Sequence, residues 1–344
     1  MTGPGLRDRL LRAIDRMEGV PVLVVADLVL DIFEYGAIGR ISREAPVLIL
    51  DHVRTDRLPG GGANAVHNLA TLGGRPIVVG RVGADEAGEQ LVDLLRASGA
   101  EVEAIWRDPD YATPVKRRIL AGSAHSVKQQ IVRIDRGGGL PAGEAAPLLG
   151  HVRELASLGA GTLVSDYSFG LVHAGNASRL QEACAAAQRP LFVDSRSQLR
   201  LFRGLAAATP NLQEAEAVAG ESVGENPERL RRAALLLRER LDADTVAVTV
   251  GSRGMQVATR RGETAAIPVY GTDEVADVTG AGDTVIATLT LAVLSGSGPL
   301  EAALLANYAG GLVVMKRGTA TVLPDELRDA VRADPDPDGR LRLE

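Results

Sequence analysis

Aromatic residues make up only 3% of this 344-residue chain, so its core must be filled by Val, Leu, Ile and Ala, and at 45% apolar content there is enough for a substantial one. A single cysteine, Cys184, excludes an internal disulfide and cannot build a zinc site alone. It lies in the helical stretch 179–188 and reads as core filling rather than as a nucleophile. There is no basic excess. A formal net charge of −6 ranks nucleic-acid binding low, because that function calls for a cationic surplus against phosphate. Nor is there a long apolar run: 20–25 and 246–250 are of strand length, far short of the ~20 residues that span a bilayer. Arg7, Arg9, Arg12 and Asp15 break up the N-terminus, so no signal peptide is expected. These absences predict a cytoplasmic protein with neither a nucleic-acid nor a membrane partner.

What is present is an alternation. Apolar runs at 21–26, 76–82, 162–165, 191–194 and 245–250 alternate with helical patterns at 63–72, 86–98, 145–158, 174–188, 227–241, 281–295 and 299–316. Runs that are apolar throughout suit a parallel sheet buried on both faces, and strand–helix alternation predicts a doubly wound α/β fold. Segments 35–58 and 102–136 hold strand-like pieces with no helix between them. They are expected to leave the main sheet as antiparallel strands and form a small lid over the carboxyl ends of the parallel strands. A glycine-rich joint at 137–143 would connect lid and core. Residues 1–330 are read as one domain, and 331–344, with an Asp- and Pro-rich stretch at 333–339, as a disordered tail.

The chemistry points to Asp277-Val278-Thr279-Gly280-Ala281-Gly282-Asp283-Thr284, which opens an apolar helix. Small residues at Gly280, Ala281 and Gly282 let a ligand approach the backbone, and N–H groups at a helix start favour an anion. Asp283 beside them is placed to take a proton. An anion site next to a base is what phosphoryl transfer to an alcohol requires. The competing reading is a plain helix cap.

This string resembles the second signature of the ribokinase-like (PfkB) carbohydrate kinases, and Gly60-Gly61-Gly62-Ala63-Asn64 resembles the first. The resemblance spans roughly residues 20–325 and implies a ribokinase-like fold with ATP and Mg²⁺ as cofactors. It implies that Asp31, Gly61, Gly62 and Asn64 hold the sugar. Asn211 and Glu214, from Asn211-Leu212-Gln213-Glu214, would position Mg²⁺ through water; Gly251, Gly254 and Asn307 would line the nucleotide site. Arg196 would stabilise phosphoryl charge, and Asp277 would neighbour a K⁺ ion. Within the family, the stretches 31–47, 116–135 and 306–322 look like the D-glycero-D-manno-heptose 7-phosphate 1-kinases. Lys116, Arg117, Arg118 and Arg133 could then meet the sugar's existing phosphate, with Arg118 and Arg133 the foremost candidates.

Three departures stand against that branch pattern: Ala26-Asp27 after the first strand, Phe169 where the branch has lysine, and Asp194-Ser195-Arg196 with arginine for lysine. No room is expected for the nucleotidyltransferase domain of bifunctional members, and the resemblance implies a homodimer through the lid. The alternatives are a ribose, fructose or nucleoside kinase, or a ligand sensor on the same fold, which the intact Asp283 motif disfavours. A nicotinamide dehydrogenase is ranked low because Ala26-Asp27-Leu28 carries no Gly-x-Gly-x-x-Gly turn.

Overall fold

The computed structural model describes residues 5–122, 128–138, 146–224, 226–271, 277–316 and 318–344. The first half of the chain runs α1 (Leu6–Asp15), β1 (Pro21–Ala26), β2 (Leu28–Ile41), β3 (Leu48–Gly61), α2 (Gly62–Thr71), β4 (Arg75–Gly83), α3 (Glu86–Ala97), β5 (Ile105–Asp108), β6 (Val115–Gly122) and β7 (Gln129–Arg136). The next part comprises α4 (Ala146–Leu155), β8 (Gly161–Asp166), α5 (Ala177–Ala185), β9 (Leu191–Ser195), β10 (Ala207–Ala208), α6 (Leu212–Ala219), α7 (Pro227–Arg240) and β11 (Thr245–Thr249). It ends with β12 (Met255–Thr259), β13 (Thr264–Ile267), α8 (Ala281–Leu294), α9 (Pro299–Val314), α10 (Pro324–Ala333), α11 (Pro337–Arg340) and β14 (Arg342–Leu343).

Among the described residues, ten strands form the main sheet in the order β14-β13-β12-β11-β10-β9-β8-β1-β4-β5. Pairing is parallel from β11 to β5 and antiparallel across β11, β12, β13 and β14. Strand β1 shows why its sequence reads as apolar throughout. Val22, Val24 and Ala26 pack on one face with α1–α3 and α8–α10, and Leu23 and Val25 on the other with α4–α7. All five residues are fully buried, and each Val or Leu contributes roughly 1.5–3 kcal/mol by leaving water. Cys184 belongs to the second cluster, where burial pushes its thiol up to about 12, as suits core filling. No helix among the described residues is long and apolar enough to cross a membrane.

A second sheet has the order β3-β2-β6-β7. Only Asp27 separates β1 from β2, and β3 runs directly into α2, so this sheet is hinged on the carboxyl end of β1. Three expectations are corrected here. The small sheet is mixed, because β2 and β6 pair in parallel. Strand β5, inside the segment assigned to the lid, joins the main sheet beside β4 instead. Residues 331–344 are ordered: Tyr308 donates to buried Asp334 at 2.7 Å, Arg340 pairs with Asp334 beneath the Tyr270 and Tyr308 rings, and β14 extends the sheet. Composition alone missed those long-range partners. Residues 139–143 of the glycine-rich joint lie outside the described residues.

Candidate active site

Helices α3, α6 and α7 begin with side-chain caps from Asp85, Asn211 and Asn226. Helix α8 begins on Gly280, at φ 82°, and no side chain among the described residues caps it. The Ala281 N–H turns back to the Val278 carbonyl at 3.3 Å, while the Gly280 and Gly282 N–H groups have no acceptor among the described residues and are left, with the positive end of the dipole, to something else. A Cβ on Gly280 would stand 2.5 Å from Asn64 Nδ2, so the backbone there is pressed against α2. A Cβ on Gly282 would meet nothing within 4 Å, so that exposed residue opens onto free space. Ala281 lies between them. Asp277, before the turn, accepts from the N–H groups of Thr279 at 2.9 Å and Gly318 at 3.1 Å and ties the turn to the end of α9.

Asp283, in the first turn of α8, is 2% exposed. One carboxylate oxygen accepts from Tyr167 Oη at 2.6 Å and the other from Asn64 Nδ2 at 2.8 Å. Asn64 is held by Asn68, which donates to its side-chain oxygen at 3.2 Å, and Thr284 donates to Asn68 at 2.8 Å. Burial pushes the Asp283 carboxyl up, the Tyr167 and Asn64 donors and Arg196 pull it down, and Asp31 pushes it up again, to about 6. A group with that value is ionised at pH 7 yet basic enough to accept a proton. Asn64, expected to hold a sugar hydroxyl, has its amide nitrogen on Asp283 in this structure.

Asp31, on β2, is 2% exposed and forms an ion pair with Arg118 of β6 at 2.9 Å. Burial still raises its carboxyl, against Arg118, Lys116 and Arg133. Register explains the grouping, since residues opposite one another share a face. Phe33, Arg118 and Arg133 form one row, and Asp31, Lys116 and Asp135 the next. Arg133 pairs with Asp135 at 2.8 Å on an exposed strand. Arg117 is a correction: it lies on the opposite face, paired with Glu34 at 2.8 Å. There it lines, with Ile32, Arg136 and Gln90, a cavity of about 380 Å³. Gly61 and Gly62 sit at the β3–α2 junction, where the Gly62 N–H donates to the Asp27 carbonyl at 2.9 Å.

A third group lies along the carboxyl ends of β8, β9 and β10. Asn211 and Glu214 cap α6 reciprocally, each at 2.9 Å, so the bland helix-start reading of this tetrapeptide is also true. A bridge sets Asn211 beside Thr249, next to the turn Gly251–Arg253 that leads into Gly254 and β12. Burial, then Glu214 and Asp283, drive the Asp194 carboxyl well up, and Arg196 pulls it down. Burial also raises Glu214, with Asp166 adding to it. Arg196 stacks on the Tyr167 ring at 4.2 Å. Asn307, on α9, is 4% exposed, and its side-chain oxygen has no hydrogen-bond partner among the described residues.

Sequence reasoning missed Tyr167, Asn68, Asp194 and Asp27. Asn64 and Asn68 stand four apart on an otherwise apolar helix, a spacing that stacks them on one face. Tyr167 and Asp194 stand at the carboxyl ends of parallel strands, where such folds bind ligands. Asp27 was visible as the aspartate that follows the first strand, but nothing in the sequence tied it to the loop after β8.

A sequence model of the pfkB family carbohydrate kinases matches residues 28–326. The bifunctional protein HldE of Halorhodospira halophila is 39% identical over 335 residues, covering 97% of this chain and 66% of its own. HldE of Mesorhizobium japonicum is 38% identical over 338 residues, covering 95% and 65%. The chain spans about two thirds of the length of these curated relatives. Arabidopsis thaliana ribokinase, complexed with ribose and ATP, is similar at a TM-score of 0.70 and 18% identity, over 92% of this chain and 100% of its own. Phosphofructokinase-2 of Escherichia coli, in complex with potassium, is similar at 0.72 and 20%, over 92% and 98%. At these identities the likeness is one of fold.

Proposed function

The chain belongs to the pfkB family of carbohydrate kinases, and from that premise we propose that it transfers the γ-phosphoryl group of ATP to the anomeric hydroxyl of D-glycero-D-manno-heptose 7-phosphate. The product would be the 1,7-bisphosphate. Membership makes the protein a phosphotransferase acting on a sugar hydroxyl; the particular sugar is our reading. The likeness of segments 31–47, 116–135 and 306–322 to the heptose 7-phosphate kinases supports it, as do the similarity to the bifunctional HldE proteins and the cationic residues on the small sheet.

One observation carries the mechanism: a buried carboxylate, gripped by two donors, beside an uncapped helix turn that faces open space. Asp283 takes the proton of the sugar hydroxyl as its oxygen attacks phosphorus in line. The amides of Gly280 and Gly282 receive the phosphoryl oxygens, joined by that of Ala281 once it leaves the Val278 carbonyl, where fixed dipoles are worth most in transition-state charge. Asp31 and the Gly61–Gly62 backbone orient the sugar, and the small sheet acts as a lid that excludes water. Lys116, Arg118 and Arg133 face the far phosphate; Arg133 reaches it by leaving Asp135. Arg196 offsets charge on the phosphates. The orphan oxygen of Asn307 and the turn at Gly251 and Gly254 suit the adenine end.

The crowded carboxylates fit a divalent cation. Asp194 and Glu214 are both raised by burial and by neighbouring acids, and the Arg196 guanidinium offsets each in part. No group of three or more His, Cys, Asp or Glu among the described residues is spaced to ligate a metal directly. Mg²⁺ would therefore be held through water near Asp194, Asn211 and Glu214, and would neutralise phosphate charge there. Asp277 keeps lone pairs free for a K⁺ ion. We place the reaction in the cytoplasm, where ATP is available. Exposed Ile41, Val53, Val132 and Ile134 on the small sheet support pairing of two lids in a homodimer.

ADP release measured with a panel of sugars, each with and without a terminal phosphate, tests the reading. Heptose 7-phosphate should give the highest kcat/KM. Preference for an unphosphorylated sugar would remove the phosphate-facing role of the small sheet.

A further inference from the structure

We propose that Tyr167 is the positioning residue for the base: its phenol, stacked on the Arg196 guanidinium and anchored through its backbone to Asp27, holds the Asp283 carboxylate in the orientation that receives the sugar proton. This deepens the reading above and rests on Asp283 being the base.

The loop that carries Tyr167 is held by buried carboxylates. One Asp27 oxygen accepts from the N–H groups of Tyr167 at 2.8 Å and Phe169 at 3.0 Å, and the other from Leu171 at 3.4 Å. Asp166 accepts from the Ser168 N–H at 3.0 Å, and Ser168 takes a left-handed φ of 62°, sparsely populated for a residue with a side chain. The loop is therefore fixed by buried acceptors rather than free to swing. Asp27 itself stands between β1 and β2, so the anchor belongs to the hinge of the two sheets.

Next comes the ring. The Arg196 guanidinium lies 4.2 Å from its centroid and draws on its electron density, which strengthens the O–H as a donor. Burial, and then the charge of Asp283, drive the phenol well above its usual range, so Tyr167 keeps its proton. It serves as a donor and not as a second base. Asn64 donates to the opposite carboxylate oxygen, and the two donors together fix the plane of the group. Each oxygen accepts one hydrogen bond from these donors and retains lone-pair capacity for the substrate. The other charged groups around Asp283 are Arg196 and Asp194, at the end of β9, and Asp31, on β2. Tyr167 is the titratable one that hydrogen-bonds to it.

Tyr167→Phe keeps the ring for Arg196 and removes only the hydroxyl. The acidic limb of kcat/KM against pH should move upward by about one pH unit, since a donor to the charged form has been lost. Activity near pH 6 should fall about tenfold, recover to within about threefold by pH 9, and leave the KM for ATP unchanged. A loss of equal size at every pH would mean a merely structural role, and no loss at any pH would mean no role; either overturns the proposal. Asp283→Asn, run in parallel, separates the two readings. An active Asp283→Asn enzyme sinks the base itself, whereas an inactive one with an unmoved limb in Tyr167→Phe sinks only the part given to Tyr167.

Discussion

Substituting Gly282 by alanine should cost no stability and most of the activity. Gly282 lies in the first turn of α8, and a Cβ there meets no protein atom within 4 Å. Ala in place of Gly in a helix is favoured by roughly 0.5–1 kcal/mol, so the unliganded variant should melt at the same temperature or slightly higher. The free space in front of that carbon is where the account puts the γ-phosphoryl group. A methyl group there shifts the reacting phosphorus by about an ångström, and misplacement of that order costs about 10²-fold. The loss should appear in kcat, with a raised apparent KM for ATP, in a coupled assay of ADP release. Gly280→Ala gives the contrasting pattern. Its φ of 82° and the 2.5 Å approach to Asn64 make it lose stability and activity together. A Gly282→Ala enzyme with kcat and ATP KM near wild type would show that no phosphoryl group occupies the open space.

Two further predictions use burial and charge. Arg118→Ala strips Asp31 of its buried partner at 2.9 Å and should lower stability by about 3–5 kcal/mol, with a raised KM for the phosphorylated sugar. Arg117→Ala, on the other face, should change urea stability by less than about 1 kcal/mol and leave that KM alone; equal effects would contradict the assignment of faces. Asp27 is held at about 7 by burial and by Asp166, above its ordinary 3.8, against three backbone N–H donors. The folded state therefore binds this proton more tightly than the unfolded chain, so its contribution to stability is fully present below pH ~4 and lost as pH rises to about 7. The gap of about three pH units is worth on the order of 4 kcal/mol. Asp27→Asn should remove that decline when urea midpoints of the two proteins are compared from pH 4 to 8; parallel curves would contradict it.

The doubly wound sheet was legible because its strands are buried on both faces. Segments such as β1 then carry no polar residue to blur the period, and their helices fall between them. The antiparallel edge β12–β14 was not, because short edge strands such as Thr264–Ile267 carry little pattern of their own. The ordered C-terminus escaped composition for a related reason: Asp334 is stabilised by Tyr308 and Arg340, partners that only the fold brings together. In the site, the Gly280–Asp283 string was legible as a helix start with a carboxylate in its first turn, since helix-start geometry is local. The opposite facings of Arg117 and Arg118 follow from the strand's period of two, but which face turns inward depends on β2. The hydrogen bond from Asn64 to Asp283 was not legible, because the two lie 219 positions apart. Tyr167 was visible at a strand's carboxyl end, yet its contact with Asp283 spans 116 positions.

Everything proposed for the site depends on Asp283 moving the proton. The most direct measurement of this is the single-turnover rate of sugar phosphorylation by Asp283→Asn at saturating ATP, with ATP affinity measured on the same protein. The rate should lie about 10²–10⁴-fold below wild type, with ATP binding within about twofold. A variant that keeps more than about a tenth of the wild-type rate would contradict it.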